Sequence, residues 1–318
     1  MKTQIFTYTE IEEAAKLLEK GELVAFPTET VYGLWANALD ASAAEKIYKA
    51  KWRPSDNPLI VHIASFQDIE TIARIPQKNY DAIKKLAATF WPGPLTIILP
   101  KKPCIPDAVS WWLDTVALRI PRHRSTLKLI RLAGFPIAGP SANISGKPSS
   151  TRFSHVLHDF DGKIAGIIRS KSCQIGVESS VIDMSGDIPV LLRPGWIDFE
   201  SLKEILPHIS ESYEWHHEIA RSPGMKYMHY TPQAELILFE LWSEEQIKTY
   251  QKKYKADWKK VRKISLQHSK KIAKDLFHLL RESDIKGYDV ILIAWVDESG
   301  IWKAVMNRLR KAATHIIS

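Results

Sequence analysis

Short apolar runs that alternate with amphipathic stretches are the feature that most constrains the fold of this chain, because a layered α/β architecture accommodates both patterns. Up to about residue 205, strands are predicted at 22–27, 59–63, 95–99, 116–120, 137–138, 181–182 and 190–192. Helices are predicted at 11–20, 42–51, 79–90, 125–132 and 199–206. Ser42 and Glu45 have capping-box spacing at the start of the second helix. The mixture indicates a sheet covered by helices.

A polar and aromatic segment at residues 207–233 interrupts this pattern, and a second block follows it. Its content of His, Tyr and Trp separates it from the Gly/Ser-rich or Pro-rich sequences of passive linkers. Beyond it, strands are predicted at 234–241 and 290–296, and helices at 244–261, 272–281 and 301–313. We therefore expect a first α/β domain at 1–207, a linker at 208–233 and a small α/β domain at 234–318.

The composition is that of a soluble globular protein, since 45% of the residues are hydrophobic and 25% are charged. No apolar run reaches the roughly 18 residues that suggest a membrane helix, and acidic residues stand where a signal peptide would be apolar. Cys104 and Cys173 lack the paired spacing of a disulfide framework or a zinc site, which favours the reducing cytoplasm. The net charge of +8 favours anionic partners such as nucleotides or RNA.

Lys51-Trp52-Arg53 is a short cationic cluster at the end of the second predicted helix. Pro54 disfavours helical geometry at the residue before it, so we expect Lys51 and Arg53 on extended chain, where they would point the same way. Two cations aimed at one spot suit a polyanion such as the triphosphate of ATP. A solvated pair at a helix end is the alternative interpretation of so short a motif.

Further polar groups interrupt the predicted strands of the first domain. Arg119 lies in an apolar strand, where a buried guanidinium needs a compensating anion, and Arg193 lies at the end of another strand. Taken with Lys51 and Arg53, they predict a cationic cavity. Its hydroxyl lining would come from Thr30, Ser141 and Ser179. The sequence contains no Walker-type phosphate loop, no G-x-G-x-x-G fingerprint, no nucleophile elbow and no zincin motif.

Several motifs of the first domain resemble the YrdC-domain family: PTETVYGL (27–34), KWRPSDNPL (51–59), LRIP (118–121), GPSANISGKPS (139–149), GVESSVID (176–183) and LRPG (192–195). SPGMKYMHYTP (222–232) and MNRLRKAA (306–313) resemble parts found only in the long, two-domain form, the threonylcarbamoyl-AMP synthases. The resemblance implies a twisted-sheet catalytic domain and a small Rossmann-like C-terminal domain. It also implies a nucleotidyltransferase reaction in which L-threonine, bicarbonate or CO2, and ATP give threonylcarbamoyl-AMP and pyrophosphate, for the threonylcarbamoyl modification of adenosine 37 in tRNA.

The resemblance also implies roles for individual residues. Lys51 and Arg53 would be catalytic, holding the carbamate and the phosphates. ATP would be contacted by Arg53, Asn57, Thr115, Ser141, Asn143, Ser149, Arg193, His229 and Tyr230. Threonine would be contacted by Thr30, His62, Arg119, Gly139 and Ser179. Mg2+ would enter on the triphosphate rather than in a cage of protein ligands, and the reaction requires no covalent enzyme nucleophile.

The linker has a chemical reason to close over the nucleotide, because a carbamate loses CO2 and an acyl adenylate hydrolyses in water. We therefore expect residues 221–232 to act as a gate rather than as an inert tether. Two residues depart from the family pattern. Met228 stands where a basic or polar residue is usual, and Trp35 stands where a small residue is usual, so we expect Trp35 to narrow the mouth of the pocket.

Two functions of other classes remain open at this point. An RNA-binding or translation-associated module is suggested by the net charge and by the basic stretch 248–263, although few aromatic residues there could stack on bases. A carbamoyl-transfer role is suggested by related domains in carbamoyl-phosphate-using maturation proteins, although two isolated cysteines do not supply the zinc modules of those proteins. For the synthase, we expect the downstream partner to be the tRNA threonylcarbamoyl-transfer machinery, with a weak RNA contact and no membrane contact.

Overall fold

Two β-sheets organise the chain, one of eleven strands and one of four. The computed structural model describes residues 2–54, 57–212, 229–240, 244–266, 270–296 and 298–317. Among the helices of these ranges, none is long and apolar enough to cross a membrane.

The larger sheet is mixed and contains every strand of the first 212 residues that the structure describes. Its strands are β1 (Gln4–Phe6), β2 (Val24–Phe26), β3 (Gly33–Asn37), β4 (Ile60–His62), β5 (Leu95–Pro100), β6 (Thr115–Arg119), β7 (Ile137–Gly139), β8 (Gly166–Ile168), β9 (Ser180–Asp183), β10 (Val190–Arg193) and β11 (Ser210–Glu211). They lie in the order β1-β8-β2-β3-β7-β4-β6-β5-β9-β10-β11. The central strand β4 runs parallel to β6 and antiparallel to β7.

Helices cover both faces of the larger sheet. They are α1 (Ile11–Glu19), α2 (Ala41–Lys51), α3 (Ile69–Ile72), α4 (Tyr80–Phe90), α5 (Asp107–Ser110), α6 (Arg124–Ala133), α7 (Phe153–Phe160) and α8 (Phe199–Lys203). Successive residues of β2 enter different cores, because side chains alternate across a strand. Val24 and Phe26 pack with α1 and α6, whereas Ala25 packs with α2. The prediction of a sheet covered by helices is confirmed.

The smaller sheet is entirely parallel and forms a compact α/β unit at the C-terminal end of the sequence. Its elements are β12 (Glu235–Phe239), α9 (Glu244–Ala256), β13 (Val261–Ile264), α10 (Lys270–Ile285), β14 (Val290–Ala294), α11 (Ile301–Ala312) and β15 (His315–Ile317). The strands lie in the order β13-β14-β12-β15. Parallel neighbours need crossover connections, which the helices supply. The predicted small α/β unit is confirmed.

The predicted helix at 244–261 is wrong at its C-terminal end. The helix stops at Ala256, and the residues from Val261 to Ile264 form a strand that the sequence pattern did not indicate. Ile264 is buried in the core of the small unit. Burial on the edge of a sheet therefore outweighs the helical preference of the lysine-rich sequence around it.

The predicted capping box of Ser42 and Glu45 is also wrong. The second helix begins one residue earlier than predicted, and Asp40 is its N-cap. One carboxylate oxygen of Asp40 accepts hydrogen bonds from the backbone N–H groups of Ser42 (2.9 Å) and Ala43 (3.2 Å). Asp40 caps the helix because it lies just before the first turn, where its side chain reaches the otherwise unpaired amides. Ser42 lies inside the helix and is not the N-cap.

Two buried ion pairs join the small unit to the larger one. Arg281 of α10 donates from Nη2 to Asp159 of α7 at 2.7 Å, and from Nε to the carbonyl oxygen of Pro148 at 2.9 Å. Arg308 of α11 donates from Nε to Glu178 at 3.1 Å. Both arginines and both carboxylates are buried. Because each partner would otherwise be an uncompensated buried charge, these contacts fix how the small unit docks.

Arg281→Met should strongly destabilise the protein, because it leaves the Asp159 carboxylate buried without its partner. We expect the free energy of unfolding in urea to fall by roughly 3–5 kcal/mol. Lys286→Met is the matched control, since Lys286 forms an exposed ion pair with Glu282 at 2.9 Å and should cost about 1 kcal/mol or less. Equal effects of the two variants would contradict the structural role of the Arg281–Asp159 pair.

Candidate functional site

A cavity lies over the middle of the larger sheet, with about 740 Å³ of empty space when the open solvent at its entrance is included. The strand β4 contributes Ile60 and His62 to its wall, and β6 and β7 contribute Arg119 and Gly139. The remaining wall comes from the end of α2 and from the loops after β2 and β7. Residues around the start of β9, at the end of β10 and just before β12 complete it. These residues include Thr28, Thr30, Lys51, Arg53, Ser141, Asn143, Lys147, Ser149, Glu178, Ser179, Arg193, His229 and Tyr230.

Most of the predicted site residues lie around this one cavity. The predicted residues that line it are Thr30, Lys51, Arg53, His62, Arg119, Gly139, Ser141, Asn143, Ser149, Ser179, Arg193, His229 and Tyr230. Asn57 and Thr115 are not among the lining residues. Asn57 is buried, and neither polar atom of its side-chain amide has a hydrogen-bond partner. Thr115 begins β6 and is half-buried.

The expectation that Lys51 lies on extended chain is wrong. Lys51 is the last residue of α2, and the chain turns at Trp52 before it reaches Arg53. The Lys51 ammonium donates to the carbonyl oxygens of Ser141 and Asn143, so it joins the end of α2 to the loop after β7. Burial, and next the cation of Arg53, hold the pKa of Lys51 well below its usual value.

His62 and Arg119 lie side by side because β4 and β6 pair in parallel with these two residues in register. His62 Nδ1 lies 3.2 Å from the carbonyl oxygen of Ile60. A carbonyl can only accept, so Nδ1 carries the proton and Nε2 is the acceptor of the neutral ring. Burial, and then the charge of Arg119, lower the pKa of His62 well below its usual value, which keeps the ring neutral.

The buried guanidinium of Arg119 has the anionic partner that its position in an apolar strand requires. Its Nη2 donates to Glu29 at 2.7 Å and to Thr30 Oγ1 at 2.9 Å. Glu29 is itself buried, and its other oxygen accepts the backbone N–H of Arg122 at 2.9 Å. Sequence reasoning missed Glu29, although it lies inside the PTETVYGL motif next to the chosen Thr30.

A second buried arginine, Arg193, holds the loop before β9. It donates from Nε and Nη2 to the carbonyl oxygen of Ser179 at 3.1 and 2.9 Å, and from Nη2 to Ser179 Oγ at 3.1 Å. Ser179 Oγ also lies 2.8 Å from Thr96 Oγ1. Burial, and then the nearby charge of Arg308, lower the pKa of Arg193 to about 10, so it stays cationic at neutral pH.

Glu178 is a carboxylate in the wall of a cavity whose other charged residues are cations, and sequence reasoning missed it as well. It accepts hydrogen bonds from Ser149 Oγ at 2.6 Å and from Arg308 Nε at 3.1 Å. Burial acts to raise the pKa of Glu178, but the charges of Arg308 and Arg193 outweigh it and hold the pKa below its usual value. Glu178 is therefore ionised and paired.

His229 and Tyr230 reach the cavity from the chain that precedes β12. The ring of Tyr230 stacks on Phe277 of α10 at 5.0 Å. Burial, and then the charge of Glu178, raise the pKa of Tyr230 to about 12, whereas burial and the charge of Arg53 lower the pKa of His229 to about 3. Both side chains are therefore neutral at pH 7. The rest of the expected gate at 221–228, including Met228, lies outside the described residues.

Trp35 lies in the wall of the cavity rather than at its mouth. It is buried, and its ring centroid lies 3.7 Å from that of His62. The expectation that Trp35 narrows the entrance is therefore wrong, because the side chain points to the His62 end of the cavity.

Among the charged residues that line the cavity, cations outnumber anions. Lys51, Arg53, Arg119, Lys147 and Arg193 line it, against the single ionised carboxylate of Glu178. Fixed cations in a buried site attract phosphate or carboxylate groups strongly, because little water screens them. Among the residues that the structure describes, no cluster of three or more His, Cys, Asp and Glu side chains could hold a metal ion.

At a pH near or above the lowered pKa of Lys51, binding of inorganic tripolyphosphate should be accompanied by uptake of protons, because the anion raises that pKa. Affinity should therefore fall as the pH rises. Titration calorimetry in two buffers of different ionisation enthalpy measures the uptake, which Lys51→Gln should reduce. Lys49→Gln is the control, because Lys49 is exposed on the same helix and outside the cavity lining; the same loss in both variants would contradict the assignment to Lys51.

Two family models match the chain, one on each α/β unit. The Sua5–YciO–YrdC model, described as "Telomere recombination", matches residues 16–195. The model described as "Threonylcarbamoyl-AMP synthase, C-terminal domain" matches residues 197–314. The two matches lie next to each other in sequence and together cover most of the described structure.

Curated relatives and a solved structure are similar over almost the whole chain. The threonylcarbamoyl-AMP synthase of Pyrococcus abyssi is 47% identical over 96% of this chain and 95% of its own length. That of Bacillus subtilis is 44% identical over 96% of this chain and 93% of its own. The crystal structure of P. abyssi Sua5 complexed with L-threonine has a TM-score of 0.93 and 46% identity, and covers 99% of each chain.

Proposed function

The chain belongs to the Sua5–YciO–YrdC family in its two-domain form, and we propose that it is a threonylcarbamoyl-AMP synthase. The reaction joins L-threonine, bicarbonate or CO2, and ATP, and releases pyrophosphate. The observation that supports this proposal is the cavity, whose lining contains the cations Lys51 and Arg53 together with Thr30, His62 and Arg119. A relative whose structure is described with L-threonine shares this fold at 46% identity.

The threonine end of the site would be formed by Thr30, His62, Arg119, Gly139 and Ser179. His62 Nε2, the acceptor of a neutral ring, can accept a hydrogen bond from the amine of threonine. The amine must lose protons before it adds to CO2 as a carbamate, so a neutral acceptor beside it favours the reaction. The charge of Arg119, which Glu29 holds in place, suits the carboxylate of the amino acid.

The triphosphate end would be formed by Lys51, Arg53, Ser141, Asn143, Ser149 and Arg193. A carbamate oxygen attacks the α-phosphorus, forming one P–O bond while the bond to the pyrophosphate oxygen breaks. Attacker and target are both anions, so fixed cations must hold them together and stabilise the charge that develops on the phosphate. Asn57 remains a candidate contact to ATP, since its buried amide has unpaired donor and acceptor atoms.

Magnesium would enter the site on ATP, where it neutralises phosphate charge. The carboxylate of the cavity wall, Glu178, is already paired with Arg308, which fits a metal held by phosphate oxygens and water rather than by a protein cage. The residues of this chain would then bind the complex and exclude water.

His229 and Tyr230 would close over the nucleotide. Their side chains are neutral and largely removed from water, which suits a cover over a carbamate and an acyl adenylate, both of which decompose in water. We propose that the enzyme acts in the cytoplasm and passes its product to the machinery that transfers the threonylcarbamoyl group to tRNA.

Arg53→Ala should lower the rate of threonine-dependent pyrophosphate release by roughly 10²–10³-fold, because it removes a cation that stabilises the reacting phosphate. The assay contains ATP, Mg2+, labelled bicarbonate and L-threonine, with L-serine in parallel, and also measures label in the adenylate. Lys49→Ala is the matched control and should retain full activity. Folded protein that binds RNA but leaves ATP intact would overturn the synthase, and consumption of carbamoyl phosphate would favour carbamoyl transfer instead.

Replacing both His229 and Tyr230 by alanine should raise the ratio of pyrophosphate released to adenylate recovered, because water would reach the intermediates. Chromatography of quenched reactions gives both amounts. Tyr8→Ala is the control, since Tyr8 is exposed and is not among the residues that line the cavity. An unchanged ratio in the double variant would show that this pair does not exclude water.

A further inference from the structure

Tryptophan occupies nearly every position where a residue other than glycine has a left-handed backbone. Among the described residues, the side-chain-bearing positions with positive φ are Trp52 (52°), Trp111 (50°), Trp112 (60°), Trp258 (58°) and Tyr230 (68°). A bulky side chain in this region is a genuine outlier, since Cβ crowds the neighbouring backbone. The same residue type at four such positions is therefore a pattern that needs a cause.

Two of these tryptophans stand at helix ends whose hydrogen bonding requires a left-handed residue. The N–H of Trp52 donates to the carbonyl oxygen three residues earlier at 3.2 Å, and the next N–H donates to the carbonyl five residues before it at 2.9 Å. Trp258 repeats both bonds at 3.1 and 3.1 Å. This is the Schellman arrangement, in which glycine is the usual left-handed residue.

The same arrangement of hydrogen bonds occurs at Gly21 and Gly287, where the left-handed residue is glycine. Gly21 has φ of 69° and the two bonds at 3.0 and 2.9 Å, and Gly287 has φ of 63° and the two bonds at 3.0 and 3.0 Å. The backbone geometry at Trp52 and Trp258 is thus the geometry of these glycine sites, with an indole added.

The indole side chains of Trp52, Trp112 and Trp258 are largely exposed, so packing offsets little of the backbone strain. Trp52 is 73% exposed, Trp112 is 78% exposed and Trp258 is 97% exposed. The contact seen at Trp52 is a cation–π approach of the Lys163 ammonium at 5.4 Å. Trp91, by contrast, fits its site: its side chain is buried, and its Nε1–H donates to the carbonyl oxygen of Leu95 at 2.7 Å.

Trp35 misfits in a different way, by overfilling the wall of the cavity. Its ring centroid lies 3.7 Å from that of His62 and 4.4 Å from that of Phe26. Its Nε1–H is buried without an acceptor, which costs free energy. The indole also fills the space beside Gly33 so completely that a Cβ there would lie 1.6 Å from Nε1.

We propose that positions 35, 52, 112 and 258 are glycine positions of this fold, and that the cell that makes this protein inserts glycine at them. One codon, translated as tryptophan in this sequence and read as glycine in that cell, would account for the misfits at these four positions; Trp111 shares the left-handed backbone but is partly buried and is not among them. The composition agrees: the chain has 11 Trp and 14 Gly, whereas a chain of this length usually has roughly 22 Gly. At position 35, glycine leaves the His62 end of the cavity open to an amino acid.

Measuring the thermal stability of variants tests the proposal at positions 52 and 258 independently of any activity. Trp52→Gly and Trp258→Gly should each raise the Tm by roughly 2–4 °C, because the left-handed strain disappears. Trp52→Ala and Trp258→Ala remove the same ring but keep Cβ, so they should gain less. Trp91→Gly and Gly287→Trp should both lower the Tm. Glycine variants at 52 and 258 that are no more stable than the alanine variants would overturn the proposal.

Threonine binding tests position 35, and this arm rests on the proposed function. Trp35→Gly should lower the Kd for L-threonine roughly tenfold or more, because an overfilled site is relieved, whereas Trp35→Phe should do so less. A Tm rise at 52 and 258 with no threonine binding by any variant would sink the proposed function and leave the glycine positions standing. If the protein with Trp35 and the Trp35→Gly variant bound L-threonine with equal Kd, the inference at position 35 would be overturned.

Peptide mass spectrometry of the protein purified from its native cells decides what the cell inserts. Peptides that contain positions 52, 112 and 258 should have the mass of glycine at each, while the peptide with position 91 should have tryptophan. Tryptophan at all of these positions would overturn the proposal that the cell inserts glycine there.

Discussion

Positive charge buried around one cavity is the constraint on which the rest of this structure depends. Lys51, Arg119 and Arg193 are almost fully buried, and a buried cation is tolerated only where oxygen atoms replace water. Glu29 serves Arg119, and the carbonyl oxygens of loop residues serve Lys51 and Arg193. The cations therefore position the loops of the cavity, so the side chains that we propose to bind the ligand also hold the fold together.

The sequence predicted those features that depend on local pattern. A charged residue inside an apolar strand, such as Arg119, stands out from the order of the amino acids alone, and so does a histidine that ends such a strand, such as His62. Strand pairing then places the two side by side. The partners Glu29 and Glu178 could not be found in this way, because a carboxylate in a loop has the same local pattern whether it is buried in an ion pair or solvated.

Local and tertiary context explain the wrong predictions. Lys51 stays helical because Pro54 restricts only the residue before it, Arg53, and the helix ends at the left-handed Trp52 between them. The strand that begins at Val261 forms because the parallel sheet of the small unit has an edge for it. The strands β1, β3 and β8 were not predicted.

Arg308 belongs to the C-terminal unit, yet it neutralises Glu178 in the cavity of the other unit. Under the proposed function, docking of the unit and affinity for an anion would be linked: loss of the contact would leave a bare negative charge beside the phosphates and weaken their binding. Linkage is reciprocal, so a bound polyanion would stabilise the docked arrangement by the same free energy. The C-terminal unit would thus act as an intramolecular effector of the cavity.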